Sequence, residues 1–115
     1  MTRNTLTKEG LALSAQQATA TLGDNIRIAR KRRAWTLEEM AGSMLVTRKT
    51  LSRLEAGDPS VGLSVLAAAL HTLGMVNDLQ GVAAPGNDTV GIFSEKKRLP
   101  QRVRPRKAPK GKLDF

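Results

Sequence analysis

Few side chains in this sequence are of a type that makes or breaks bonds. Cysteine and tyrosine are absent and His71 is the only histidine, so thiolate catalysis, disulfides and Cys-based metal sites are excluded. His71 stands among Leu and Ala and reads as a partly exposed helix residue, not as a ligand or base. Glu38 and Glu39 are adjacent carboxylates of the kind used in acid–base chemistry. They fall in the first turn of a predicted helix, where a cap and the helix dipole account for both. No Gly-rich phosphate loop is present. The expectation is therefore a chain that is not an enzyme and holds neither cofactor nor metal. What the sequence offers instead is cations, in the stretch Thr47-Arg48-Lys49 with Arg53 and in the run Arg30-Lys31-Arg32-Arg33. A basic helix face taken alone is ordinarily solvated surface, so the elements that carry these residues decide their meaning.

The 115 residues suffice for one domain. The net charge of +9 points to a polyanionic partner such as nucleic acid. Its distribution is uneven. Residues 22–82 hold eight basic and six acidic side chains, whereas residues 83–115 hold nine basic and three acidic. The excess charge lies mostly in a tail, so net charge by itself does not make the folded part a DNA binder. No apolar run approaches the ~18 residues of a membrane helix, and the beginning of the chain lacks the apolar stretch of a signal peptide. These features, with the absence of cysteine, lead to the expectation of a cytoplasmic protein with no membrane partner.

Three zones are expected: an arm over residues 1–21, a helical domain over 22–82, and a flexible basic tail over 83–115. In the arm, Thr7 could cap a helix from Lys8, and several alanines favour one; helix, extension of the next helix, and disorder all stay open. In the domain, Leu22, Ile26 and Ala29 recur at helical spacing. Thr36 followed by Glu39 is a capping box that starts a second helix at Leu37, with Met40, Ala41 and Met44 as its apolar side. Thr47 caps a third helix whose inner face is Leu51 and Leu54, and Gly57-Asp58-Pro59 ends it. Leu63, Leu66, Leu70 and Leu73 step along a fourth helix that stops at Gly74, and residues 76–82 add a short fifth. The tail holds four of the five prolines and many Lys and Arg, a composition too polar to offset its ordering entropy.

Two short helices joined by about four residues, the second opening with Thr47-Arg48-Lys49, form a helix-turn-helix pattern. The phrase Trp35-Thr36 through Ala41, then Val46-Thr47, then Thr50-Leu51-Ser52-Arg53-Leu54-Glu55-Ala56-Gly57 resembles the Xre and phage-repressor type of helix-turn-helix protein across residues 22–82. The layout is most similar to HipB-type antitoxins, through Trp35-Thr36, the Gly57-Asp58-Pro59 exit and the basic Leu99-Pro100-Gln101-Arg102-Val103-Arg104. The resemblance implies an all-α, five-helix lambda-repressor-like domain with a disordered basic C-terminal tail. It also implies operator binding by a bacterial homodimer that represses transcription, and, for the HipB type, a HipA-like kinase toxin as partner. The alternatives are a stand-alone regulator of the phage type and a non-specific nucleic-acid binder driven by the tail. In this class the second helix of the motif enters the major groove and its N-terminal residues reach base edges. By position these are Thr47, Arg48, Lys49 and Arg53, and Arg and Lys suit guanine O6 and N7. Thr36, Thr50 and Arg33 are the candidates for phosphate contact, and Arg30 and Glu55 match a family pair that forms a structural salt bridge. Two departures stand out: Leu45 occupies a turn position where the family carries Gly, and Leu37 replaces its frequent Gln.

Overall fold

The computed structural model describes residues 9–98. The chain divides into two compact units, one ending at Gln80 and the other starting at Gly81. The first contains α1 (Leu13–Arg32), α2 (Leu37–Met44), α3 (Arg48–Glu55), α4 (Leu63–Leu73) and the short α5 (Asn77–Gln80). No strand occurs among the described residues, and the fold is the all-α helix-turn-helix arrangement that the patterning predicts. The second unit contains a 3-10 turn (Pro85–Asn87) and α6 (Thr89–Arg98).

Local chemistry sets the helix starts. At α2, Thr36 Oγ1 accepts the Glu39 N–H at 3.0 Å while Glu39 Oε1 accepts the Thr36 N–H at 2.8 Å, a complete capping box. At α3, Thr47 Oγ1 accepts the Thr50 N–H at 3.1 Å. Each cap stabilises its helix by ~1 kcal/mol, a large share for elements of only eight residues, which are not stable alone. Helix α1 begins well before Leu22 and takes in the second half of the N-terminal arm, where Ala15, Ala18 and Ala20 carry helix propensity. Thr7, its expected cap, lies outside the described residues.

Four helices end on a left-handed residue. Gly57 and Gly74 (φ 79° each) adopt this conformation without cost, but Ala34 (φ 58°) and Leu45 (φ 62°) carry a Cβ. The α2 end shows why Leu45 is tolerated. Its N–H donates to Gly42 O at 3.2 Å and the Val46 N–H donates back to Ala41 O at 3.0 Å, closing the orphan carbonyls of α2. Val46 then packs against the core. The Leu45 side chain, 92% exposed, contributes no packing in return for a strain of ~1–2 kcal/mol.

The core of the first unit is one cluster, with Ile26 from α1, Met40, Ala41 and Met44 from α2, Leu51 and Leu54 from α3, and Ala69 and Leu73 from α4. Trp35 is half-buried and packs against this cluster. Helix α1 meets the end of α3 backbone to backbone. A Cβ on Gly23 would lie 2.6 Å from the Leu54 and Glu55 carbonyl oxygens, and one on Gly57 2.6 Å from Ala20 Cα. Only glycine allows this approach, and it sets the depth at which α3 sits on α1.

In the second unit the flexible tail expected over residues 83–115 is partly helical. Asp88 Oδ1 accepts the Gly91 N–H at 2.9 Å and caps α6. Val90 and Phe93 are exposed on this helix, and Lys97 Nζ lies 5.6 Å from the Phe93 ring centroid. Residues 99–115, which carry the rest of the expected tail, lie outside the described residues.

Candidate nucleic-acid interface

Helix α3 buries Leu51, Leu54 and Glu55 and turns Arg48, Lys49, Ser52 and Arg53 outward. The outward set recurs at i, i+1, i+4 and i+5, which is one face of a helix. No large apolar side chain interrupts it. Thr47 sits exposed at the head of this face, its hydroxyl 2.9 Å from that of Thr50 and already engaged as the α3 cap. Thr36 is likewise engaged as the α2 cap. Each helix thus starts with one N–H taken by a threonine cap and with the positive end of its dipole at that terminus.

The two arginines of the face are held differently. Arg48 Nε lies 3.1 Å from Glu38 Oε2 of α2, and both side chains are largely exposed, so the pair contributes little to stability. Arg53 is held at two points beyond the end of its helix: Nε donates to Asp58 Oδ2 at 3.0 Å and Nη2 donates to Ser60 Oγ at 2.7 Å. Ser60 in turn donates to Asp58 Oδ1 through both its hydroxyl (2.7 Å) and its backbone N–H (2.9 Å). These hydrogen bonds, from Ser60 first and then from Arg53, lower the Asp58 carboxyl to about 2. The sequence pattern marks Asp58 only as part of a helix exit and does not single out Ser60. The Asp-Pro-Ser spacing, an Asx-type turn, is the signal that points to both. Ser52, between Lys49 and Arg53 on the same face, is also missing from the sequence-predicted set, although the four-residue step from Arg48 places it there.

Arg33 stands apart from this face. Its Nη1 donates to Ala29 O at 2.8 Å and its Nη2 to Leu73 O at 3.0 Å, and its guanidinium lies 5.8 Å from the Trp35 ring centroid. It ties the end of α1 to the end of α4, where a cation also suits the α4 dipole.

Beneath the face, Arg30 and Glu55 form a fork. Arg30 Nε and Nη2 donate to the two Glu55 carboxylate oxygens at 2.7 and 3.0 Å, and Nη1 donates to Trp35 O at 2.9 Å. The side chains are 9% and 6% exposed. Hydrogen bonding to Glu55 raises the Arg30 pKa above its ordinary value against the opposing effect of burial. The pair locks α1, the α1–α2 connection and the last turn of α3 into one body.

Among the described residues no group of His, Cys, Asp and Glu could hold a metal ion, and no helix is long and apolar enough to cross a membrane. A short α2, a tight turn and an α3 with a bare polar-cationic face, braced by α1 and α4, define a helix-turn-helix protein. The family model described as a helix-turn-helix domain matches residues 21–80, just over half of the chain, and the chain belongs to that family. It is accordingly a DNA-binding protein. Comparison with curated proteins and with solved structures gives no match.

Proposed function

We propose that the protein is a transcriptional repressor that binds operator DNA as a homodimer, with α3 in the major groove. The observation that carries this reading is the exposed face of α3, polar and cationic throughout and set against two capped helix N-termini. Thr47, Arg48, Lys49 and Arg53 read base edges. Thr36 and Thr50, with the N–H groups at the starts of α2 and α3, take phosphates. Arg33 takes a phosphate with the donor capacity left beside its two carbonyls. One module reads few base pairs, so two-fold pairing on half-sites about 34 Å apart, or a multiple of it, is expected. Val90, Ile92 and Phe93, exposed on α6, or else the short α5, are the candidates for the dimer contact.

Selection of a duplex from a randomised pool, followed by footprinting, tests the reading. Arg48→Ala and Arg53→Ala should each cost about 1–3 kcal/mol on the selected duplex and relax preference at one or two base pairs. Equal losses on selected and unrelated DNA would overturn base reading.

Within this reading the chain is a HipB-type antitoxin of a bacterial toxin–antitoxin operon, acting in the cytoplasm, with a HipA-like kinase toxin as second partner. Its support is the resemblance carried by Trp35-Thr36, Gly57-Asp58-Pro59 and residues 99–104. Deleting residues 99–115 tests the second partner. Co-purification of the kinase with the full chain, lost in the shortened chain while operator binding stays intact, favours the antitoxin. A stand-alone regulator gives a bounded footprint and retains no kinase. If the tail binds phosphates instead, its deletion flattens the slope of log affinity against log salt by about 0.9 for each phosphate it had neutralised.

A further inference from the structure

The Asp58–Ser60 turn meets Arg53 on one edge of its guanidinium only. The group has five N–H donors in a fixed planar fork. Asp58 takes the Nε donor and Ser60 takes one from Nη2, at 3.0 and 2.7 Å. Both Nη1 donors and the second Nη2 donor have no partner among the described residues. The free edge is the end-on pair, Nη1 with Nη2, which makes two parallel hydrogen bonds to guanine O6 and N7 or to a phosphate. The acceptors on the occupied edge are themselves fixed, because Asp58 Oδ1 receives both the Ser60 hydroxyl and the Ser60 N–H. Arg48 has no such support, since its one carboxylate partner, Glu38, is on a largely exposed side chain.

We infer that Asp58 and Ser60 are positioning residues for DNA recognition, a buttress that holds Arg53 in a fixed pose with its end-on edge presented to a guanine. This rests on the reading of α3 as the base-reading helix. The physical gain is twofold. A rotamer-rich side chain is ordered before binding, so less entropy is lost on the complex. The carboxylate also opposes the approach of a phosphate, so Arg53 favours the site where both bidentate bonds form over any backbone contact. A shield that merely masks Arg53 would act in the opposite sense: its removal would tighten binding to all DNA, the selected site included.

The test uses the full chain, a duplex selected by the wild type from a randomised pool, and an unrelated duplex of equal length. Arg53→Ala should lower the preference for selected over unrelated DNA by about 5–150-fold, with the effect traced to one base pair. Asp58→Asn should lower the same preference at the same base pair by roughly 2–12-fold, as expected for one side chain that must then be ordered on binding. Binding to unrelated DNA should hold or rise. Ser60→Ala should act in the same direction, and it keeps the test in force if Asp58→Asn does not fold. Adding Asp58→Asn to Arg53→Ala should produce no further fall in preference. A turn that only stabilises the end of α3 would lower the melting temperature without changing base preference, and that result overturns the buttress. Tighter binding of Asp58→Asn to the selected duplex overturns it in favour of the shield. A wild-type chain that selects no sequence, or an Arg53→Ala variant with unchanged preference, would overturn base reading by Arg53 itself and the buttress with it.

Discussion

Replacing Arg30 with Met should strongly destabilise the helix-turn-helix unit. The Arg30 and Glu55 side chains are 9% and 6% exposed, and two hydrogen bonds of 2.7 and 3.0 Å join them. Met fills most of the volume but leaves the Glu55 carboxylate buried without its cation and removes the donor to Trp35 O. Breaking one side of a buried pair costs about 3–5 kcal/mol, against a total stability of roughly 5–15 kcal/mol for a domain. In a domain of this size each kcal/mol shifts the midpoint by roughly 4–8 °C, so a fall on the order of 15 °C or more is expected. Arg32→Met, at an exposed position two residues on, should stay within about 0.5 kcal/mol. Thermal melts followed by far-UV circular dichroism, wild type beside both variants, measure the difference. Replacing both partners with Met should recover much of the stability, because an apolar pair leaves no stranded charge. Indistinguishable melts for Arg30→Met and Arg32→Met, or a double variant as unstable as the summed singles, would refute the argument.

Leu45→Gly should raise the melting temperature, since it removes ~1–2 kcal/mol of left-handed strain and deletes a side chain that is 92% exposed; the added freedom of the unfolded chain offsets about half of that. Gly23→Ala should destabilise by about 1–3 kcal/mol or more, because the new Cβ meets the Leu54 and Glu55 carbonyl oxygens at 2.6 Å, and a denaturant midpoint at the wild-type value would contradict that packing. Acid should remove a stabilising contribution from Asp58. Its folded value of about 2 lies below the ordinary 3.8, so the contribution is present above about pH 4 and is lost as pH falls toward 2. Asp58→Asn should flatten stability against pH in that window, and superimposable curves for the two proteins would exclude the linkage.

Much of the fold is legible in the chain because its signals are local. Thr36 with Glu39, Thr47, and Gly74 act within one helical turn, and the spacing of Met40, Ala41 and Met44 or of Leu66, Leu70 and Leu73 reports a buried face without knowledge of what covers it. Composition misleads where it averages over such a signal. The prolines and lysines after residue 82 suggest no order, yet Asp88 caps α6 through a bond three residues long. The extension of α1 back to Leu13 is one of several alternatives the sequence allows, because alanines favour a helix while Gly10 and the threonines weigh against it. What tertiary structure alone decides is where each cation is held. Arg30, Arg33, Arg48 and Arg53 are the same residue type on or beside helices of similar pattern. One is buried in a fork with Glu55, one ties two helix ends, one lies loosely against Glu38, and one is held by Asp58 and Ser60. An arginine reaches several ångströms from its backbone and takes whichever acceptor the packing brings near, so its role follows from the assembled helices, whereas a cap or an apolar stripe is complete within its own few residues.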